Sequence, residues 1–266
     1  MKYPNHHSKK GSEYPMIKKL HWLPSGYLFL DHSALNVNLS PGRMVKLPIW
    51  SFLLETKDGP IIVDTGMPDS FIGNPDYFNG TPLEGQFLPE MEQKDHIRNL
   101  IKKAGYEISD IQAVINSHLH MDHAGGNPYF PNTPIYVQKA ELEAAINNPN
   151  YAPPECIQPD LQYHPIEGDY EVAPGIQLLF TPGHSPGHQS VLVTTEKSGP
   201  VLLTIDLAYT QENYEHLVPF ASSDFELAIQ SIRNMKQKAQ EIRPSLIFFG
   251  HDLEQAKQQR TFPEFL

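Results

Sequence analysis

Four short apolar runs in this chain are each followed, within a few residues, by a histidine or an aspartate. The runs are rich in valine, isoleucine, leucine and phenylalanine, which is typical of buried β-strands. Ligands of open α/β sheets gather where strands end. We therefore expect these polar residues to meet at one edge of the fold: His118 after Ala113–Ile115, His184 after Ile176–Phe180, Asp206 after 201–205 and His251 after Leu246–Phe249.

Further strand-like runs alternate with helical periods along the chain. Strands are also predicted over 49–54, 61–63, 135–137 and 190–195, and helices over 97–104, 139–146 and 228–242. Strands interspersed with helices and hairpins indicate an α/β protein with mixed sheets. The segment 67–91 has no clear period, and a loop of that length is typical of a lid or binding loop.

The length of 266 residues allows one large domain or two modest ones. Nothing in the sequence is typical of an interdomain linker, so we expect a single domain over 16–266. Residues 1–15 are polar and charged without the apolar stretch of a secretion signal, and we expect them to form a flexible tail.

Composition excludes several classes of partner. The net charge is −11 and no basic block is present, which argues against nucleic acid as a partner. No apolar run reaches the roughly 18 residues that a membrane span needs. Cys156 is the single cysteine, so no intrachain disulfide can form, and a cytoplasmic location is the simplest expectation.

Residues 118–123 concentrate possible metal ligands, namely His118, His120, Asp122 and His123. A solvated polar loop is the alternative explanation, but histidines two apart on extended chain point to the same side and can hold one ion. With the three residues that follow later strands, the donors number seven, all nitrogen or oxygen. Such a set suits a pair of divalent ions with an open position for water, and zinc is the expected metal.

The remaining histidines lack neighbouring ligands, and we expect structural roles for them. His188 is close to the cluster in sequence and is expected to support it or to be structural. Residues 183–187 match the G-x-S-x-G pattern of serine hydrolases, but that pattern needs a helix directly after the serine. Pro186 and Gly187 follow Ser185, which argues against a serine nucleophile. The other histidines are His6, His7, His21, His32, His96, His164 and His216.

Residues 118–126, HLHMDHAGG, resemble the signature of the metallo-β-lactamase superfamily. The later His184, Asp206 and His251 stand in similar order and context, and Asp64 in the segment 62–66 resembles the aspartate that supports a metal ligand in its first motif. Longer stretches resemble the N-acyl-homoserine lactone lactonases of bacilli, over nearly the whole chain from residue 18 to residue 266. They are 30–33, 63–68, 166–172, 203–206 and 248–252.

The resemblance implies an αββα sandwich, in which two mixed β-sheets are flanked by helices. It also implies hydrolysis of the lactone ring of N-acyl-homoserine lactones by a hydroxide that bridges two divalent ions. Zinc is expected, with iron or cobalt as alternatives in one site. One ion would take His118, His120 and His184, the other would take Asp122, His123 and His251, and Asp206 would bridge them.

Further roles follow from the same resemblance. Tyr209 would donate a hydrogen bond to the substrate carbonyl, and Asp122 would relay a proton to the leaving oxygen. Met121 stands where some relatives carry phenylalanine and would shape the acyl pocket, while Phe78 in the segment 67–91 would cover the acyl chain. The expected partner is the small-molecule substrate, and the protein is expected to be a monomer or a homodimer.

Three alternatives stay open at this point. Another hydrolase of the superfamily, such as a glyoxalase-II-like thioesterase or a phosphodiesterase, would use the same ligands. A redox protein with iron in this pocket would need a flavin domain, for which the length leaves no room. A metal-dependent binding module without turnover is the third, and the open water position argues against it.

Overall fold

The structure is a computed structural model that describes residues 17–148, 151–259 and 261–266. The predicted tail over 1–15, with His6 and His7, lies outside the described residues, as does Met16. Among the described residues, no helix combines the length and apolar composition needed to cross a membrane.

The first sheet has seven strands in the order β4-β1-β2-β3-β5-β6-β7. The strands β4, β1, β2 and β3 pair antiparallel, whereas β3, β5, β6 and β7 pair parallel, so the sheet is mixed. The strands are β1 (Lys19–Asp31), β2 (Met44–Thr56), β3 (Gly59–Val63), β4 (Phe87–Glu90), β5 (Ala113–Ile115), β6 (Ile135–Gln138) and β7 (Tyr163–Ile166).

The second sheet has five strands in the order β12-β11-β10-β9-β8. All neighbours pair antiparallel except β11 and β12, which are parallel, so β9, β11 and β12 run in one direction and end at the same edge. The strands are β8 (Tyr170–Ala173), β9 (Ile176–Phe180), β10 (Gln189–Thr195), β11 (Gly199–Ile205) and β12 (Leu246–Phe249).

The described residues form the helices α1 (Ile97–Lys103), α2 (Met121–Ala124), α3 (Lys139–Asn147), α4 (Gln211–His216), α5 (Phe225–Ile242) and α6 (Leu253–Ala256). Of these, α1 and α3 pack on the outer face of the first sheet and α5 packs on that of the second. Short 3₁₀ turns lie at His32–Ala34, Asp69–Phe71, Gln93–Asp95, Ile108–Asp110, Asn127–Tyr129 and Pro154–Cys156.

The alternation of side chains along the strands produces the layers. In β2, Phe52 packs in the core between the sheets, whereas Leu53 packs on the other face with α1. In β10, Val191 packs in the same central core, and Leu192 faces outward against α5. Because successive strand side chains point to opposite faces, apolar residues at adjacent positions require cover on both sides. The predicted αββα sandwich is confirmed.

The predicted helices agree with the structure near their ends. Asp224 caps α5 by accepting a hydrogen bond from the Leu227 N–H, and Arg243 ends it in a left-handed conformation before Pro244. Gly105 follows α1 with a φ of +89°, which glycine adopts at little cost. The helix predicted over 139–146 is α3.

Several regions differ from the sequence-based expectation, and the strands β7 and β8 are among the elements that it omits. The strand β1 was not predicted, and its register with β2 shifts between Pro24 and Tyr27, because Pro24 and Gly26 interrupt the strand pattern. The segment 67–91 is not entirely a loop. It contains a 3₁₀ turn and the edge strand β4, and the side chains of Phe71 and Phe78 near its centre are buried.

Candidate metal centre

The seven predicted ligands come together at one edge of the sandwich, from both sheets. Those at 118–123 follow β5 and extend into α2, while the others follow β9, β11 and β12. Their donor atoms form three overlapping groups, each within 4.8 Å: His118, His120 and His184; His118, His123 and Asp206; and Asp122, His123 and His251. We call the first the imidazole group and the last the mixed group.

In the imidazole group, three ring nitrogens form a nearly equilateral triangle. His118 Nε2 lies 3.0 Å from His120 Nδ1. His184 Nε2 lies 3.2 Å from His118 Nε2 and 3.0 Å from His120 Nδ1. Tetrahedral coordination at zinc–nitrogen distances near 2.0–2.1 Å would separate nitrogens by about 3.3 Å. The triangle therefore has dimensions that suit one divalent ion.

The outer hydrogen bonds of His118 and His184 leave the inner nitrogens of these two rings without protons. His184 Nδ1 donates to the Ala221 carbonyl at 3.0 Å. Ser117 Oγ donates to Asp64 at 2.8 Å, so it accepts from His118 Nδ1 at 3.0 Å. Two lone pairs on the Nε2 atoms thus converge in a buried space. Such outer partners fix the tautomer of metal-binding histidines. A cation between the rings would offset the repulsion between these lone pairs.

The mixed group has the same construction with one carboxylate. His123 Nδ1 donates to Asp64 at 2.8 Å, and His251 Nδ1 donates to the Pro48 carbonyl at 3.0 Å. Their Nε2 atoms lie 3.4 and 3.7 Å from Asp122 Oδ2. His123 Nε2 is buried without a hydrogen-bond partner. A buried polar atom without a partner is costly, and a metal ion in this group would satisfy it.

Asp206 lies between the two groups. Its Oδ2 is 3.3 Å from His184 Nε2 and 3.2 Å from His251 Nε2. The preceding residue, Ile205, has a φ of +50°, which is strained for a β-branched side chain. A Cβ on Gly250 would lie 2.7 Å from Asp206 Oδ1, so the next strand end approaches closely because it carries glycine. The carboxylate can therefore contact an ion in either group.

Electrostatics favour the metal-binding form at His118, His184 and the two aspartates. At His123 and His251 the neighbouring carboxylates outweigh burial and raise the pKa of each imidazole. Burial and the neighbouring imidazoles hold the pKa of His118 well below its usual value, and burial lowers that of His184 to about 4. Burial opposes ionisation of Asp122, but His123 and His251 outweigh it and lower the pKa of Asp122 to about 2. The carboxylate of Asp206 is likewise held ionised, because the adjacent imidazoles outweigh burial and depress its pKa.

Tyr209 packs against both groups. Its ring centroid lies 4.8 Å from that of His251 and 5.4 Å from that of His184, and its side chain is 7% exposed. Burial and the nearby carboxylates of Asp206 and Asp122 raise the pKa of Tyr209 well above its ordinary value. The phenol therefore keeps its proton and can act as a hydrogen-bond donor.

Met121 and Phe78 belong to one apolar cluster beside the centre. Phe78 is 5% exposed, with its ring centroid 5.5 Å from that of Phe71 and 5.0 Å from that of Tyr77. Met121 is partly buried and packs against this cluster. The structure thus brings the two residues into one cluster, but Phe78 exposes little surface to a ligand.

Several supporting residues follow from the structure. His188 Nε2 accepts the Asp206 N–H at 3.0 Å, so His188 supports the backbone at Asp206 rather than forming part of the donor groups. His21 is a buried structural histidine that contacts Glu55. Ser117 and Glu141 were not predicted. Ser117 could have been suggested by its place directly before His118, whereas Glu141 has no sequence signal because its partners are distant in the chain.

Known proteins resemble this chain over most of its length. A profile of the metallo-β-lactamase superfamily matches residues 44–251. An N-acyl homoserine lactonase of Bacillus thuringiensis is 56% identical over 250 residues, covering 94% of this chain and 99% of that protein. The N-acyl homoserine lactonase AttM of Rhizobium radiobacter is 30% identical, covering 93% and 98%.

A solved structure also resembles this chain over most of its length. It is an N-acyl homoserine lactone hydrolase with the product N-hexanoyl-L-homoserine bound at its catalytic metal centre. It superposes with a TM-score of 0.92 at 56% identity, covering 94% of this chain and 100% of that one. The chain therefore belongs to the metallo-β-lactamase superfamily and, within it, to the N-acyl homoserine lactonases.

Proposed function

We propose that this protein is a quorum-quenching lactonase that hydrolyses the lactone ring of N-acyl-homoserine lactones. The observation that carries the proposal is the convergence of seven donor atoms in overlapping groups, in a chain 56% identical to lactonases over 94% of its length. The substrate is a small molecule. The net charge of −11 supports the absence of a nucleic-acid partner.

Two divalent ions per chain are proposed as cofactors. One would be held by the imidazole group and the other by the mixed group, with Asp206 shared between them. Nitrogen and oxygen donors without cysteine favour a borderline ion, so zinc is proposed, with iron or cobalt as alternatives in one site. When bound, such a pair lowers the pKa of water and polarises a carbonyl oxygen.

Asp122 is proposed to move the proton during ring opening. Water adds to the ring carbonyl carbon, the bond from that carbon to the ring oxygen breaks, and the departing oxygen needs a proton. The carboxylate of Asp122 is ionised because His123 and His251 lower its pKa, so it can accept the water's proton and pass it to that oxygen. The product carries one hydroxyl and one carboxylic acid, which releases its proton to solvent to become a carboxylate.

Tyr209 is proposed to orient the substrate. Its phenol keeps its proton and packs against His184 and His251. A donor at this place can hold the carbonyl oxygen and stabilise the negative charge that develops on it. Beside it, Met121 and the cluster that contains Phe78 are proposed to receive the acyl chain.

One domain over 16–266 is proposed to carry the activity. Support comes from both ends of the described chain, because Leu20 and Leu266 exchange two backbone hydrogen bonds of 3.1 Å. Deletion of residues 1–15 should leave kcat/KM and the melting temperature unchanged, and a loss of either would contradict this assignment.

A cytoplasmic location is also proposed, since the single cysteine is free and buried. The protein is proposed to be a monomer or a homodimer, which analytical ultracentrifugation distinguishes.

Substrate preference tests the proposal. The zinc-loaded protein should be assayed on N-hexanoyl-homoserine lactone, on an S-acyl-glutathione and on a phosphodiester. We expect kcat/KM to be highest on the lactone. A higher value on the thioester or the phosphodiester would instead support the alternative hydrolases.

A further inference from the structure

We propose that Glu141 is a positioning residue for the imidazole group and that it fixes the spacing of His118, His120 and His184. The proposal rests on the metal assignment made above. Glu141 is not one of the donors of the three candidate groups, yet it is fully buried in the first turn of α3.

The Glu141 carboxylate accepts four hydrogen bonds. Its Oε1 accepts from the Leu119 N–H at 2.9 Å and from the Tyr151 hydroxyl. Its Oε2 accepts from Ser185 Oγ at 2.7 Å and from the Gly187 N–H at 2.9 Å. All four donors are uncharged, so the carboxylate is held by directed hydrogen bonds rather than by an ion pair.

These hydrogen bonds join the two segments that supply the imidazole group. Leu119 lies between His118 and His120, and Ser185 directly follows His184. A second connection, from the Gln189 N–H to the Ser117 carbonyl at 2.9 Å, lies further from His184 along the chain. Glu141 is thus the contact that joins the segments beside the donor atoms themselves.

The loop after His184 also packs closely against Glu141. A Cβ on Gly187 would lie 2.3 Å from the Glu141 nitrogen and 2.5 Å from its Cβ, so the loop after His184 rests directly on α3. Tyr151, which donates to the same carboxylate, has its ring centroid 5.2 Å from that of His120. Small displacements of Glu141 would therefore move both segments.

A carboxylate suits this position better than an amide. Four donors converge on two oxygens, and each oxygen must accept twice. In glutamine one of these atoms would be an NH₂ group, which donates and cannot accept, so two buried donors would lose their partner. Glu141→Gln therefore changes the hydrogen bonding while keeping the size of the side chain.

Asp64 offers a contrast within the same centre. It contacts the mixed group directly, through His123 at 2.8 Å, and reaches the imidazole group only through Ser117 and His118. Glu141 contacts segments of the imidazole group alone. The two buried carboxylates thus support different metal positions, and this division distinguishes the proposal from general stabilisation of the fold.

The test measures zinc affinity by chelator competition in two backgrounds. In His251→Ala, where the mixed group is disabled, adding Glu141→Gln should weaken binding of the remaining ion by about 10-fold. This is the lower end of the ~10–100-fold cost of losing a direct partner of a metal ligand, because Glu141 bonds residues next to the ligands. In His118→Ala, where the imidazole group is disabled, the same change should leave the remaining affinity unaltered. Equal weakening in both backgrounds, or none in either, would overturn the proposal.

Controls separate this outcome from misfolding and from failure of the proposed function. Glu55→Gln is the matched variant, because Glu55 also accepts from a buried side chain, that of His21, and it should change neither affinity. If Glu141→Gln does not fold, Ser185→Ala removes one donor to the carboxylate and should weaken only the His251→Ala background, by a smaller factor. A wild-type protein that is fully active with one ion would contradict the dinuclear function, whereas the affinity comparison tests Glu141 alone.

Discussion

The imidazole group and the mixed group lie side by side but differ in origin and charge. The first consists of three imidazoles from two loops, and Asp206 Oδ2 lies 3.3 Å from its His184 Nε2. The second contains Asp122, and its His123 lies between that carboxylate and Asp64. An ion in the mixed group therefore meets more negative charge. The difference teaches that two neighbouring groups of donors can have separate supports although one aspartate lies between them.

The largest effect should come from Asp206, the residue that lies between the two groups. Asp206→Asn keeps the shape of the side chain but removes its charge, so both ions should bind more weakly. We expect a loss of kcat greater than the ~10²–10³-fold that removal of one oxyanion donor costs, together with reduced metal content. Elemental analysis beside kinetics measures both, and wild-type metal content with wild-type rate would show that Asp206 does not bridge.

The two groups can next be separated by removing one ligand from each. His118→Ala and His251→Ala should each cut activity severely and each lower the metal content from two ions towards one. The ions that remain should differ in affinity. The ion in His118→Ala would be held by the mixed group, and the ion in His251→Ala would be held by the imidazole group. Elemental analysis and chelator titration provide the measurement. Two retained ions in either variant would contradict the assignment of that ligand.

Tyr209→Phe should have a smaller effect and should leave both groups intact. The phenol contacts the rings of His184 and His251 but is not among the donors of the candidate groups. Because polarisation by the metals would remain, we expect a loss nearer to ~10-fold than to the ~10²–10³-fold upper range. Wild-type kinetics on several acyl chain lengths would make Tyr209 a packing residue, and loss of an ion would show that it acts on the metals.

Met121→Ala should have the smallest effect. Met121 lies in the chain between His120 of the imidazole group and Asp122 of the mixed group. Its side chain packs against the cluster that contains Phe78, and each buried methylene contributes ~0.8 kcal/mol. We expect KM for a decanoyl substrate to rise by about 3–10-fold, with less change for a butanoyl substrate. A fall in metal content or an equal change at all chain lengths would place Met121 outside the acyl pocket.

The sequence predicted those parts of the molecule that depend on local pattern. The strands β11 and β12 are largely apolar, and Asp206 and His251 follow at their ends. The position of these two residues could therefore be inferred from their neighbours in the chain. The ends of α5 were predictable because Asp224 and Pro244 are strong local signals. In β1, Pro24 and Gly26 obscure the pattern, and pairing with β2 determines the strand instead.

Other parts depend on contacts between distant segments. Phe78 is buried by aromatic neighbours in a segment without a period, and its environment could not be inferred from its position. Glu141 accepts from residues 22, 44 and 46 positions away, so only the folded chain reveals its partners. The roles of the seven ligands remain predictions until metal binding is measured.

The central claim, metal-dependent opening of a lactone ring, is tested most directly by the products formed in isotopically labelled water. The zinc-loaded protein should be incubated with N-hexanoyl-homoserine lactone in H₂¹⁸O, and the products identified by mass spectrometry. We expect N-hexanoyl-homoserine, one water heavier than the substrate, with one labelled oxygen in its new carboxylate and no product after chelation. Release of hexanoic acid and homoserine lactone, or full activity without metal, would contradict the account.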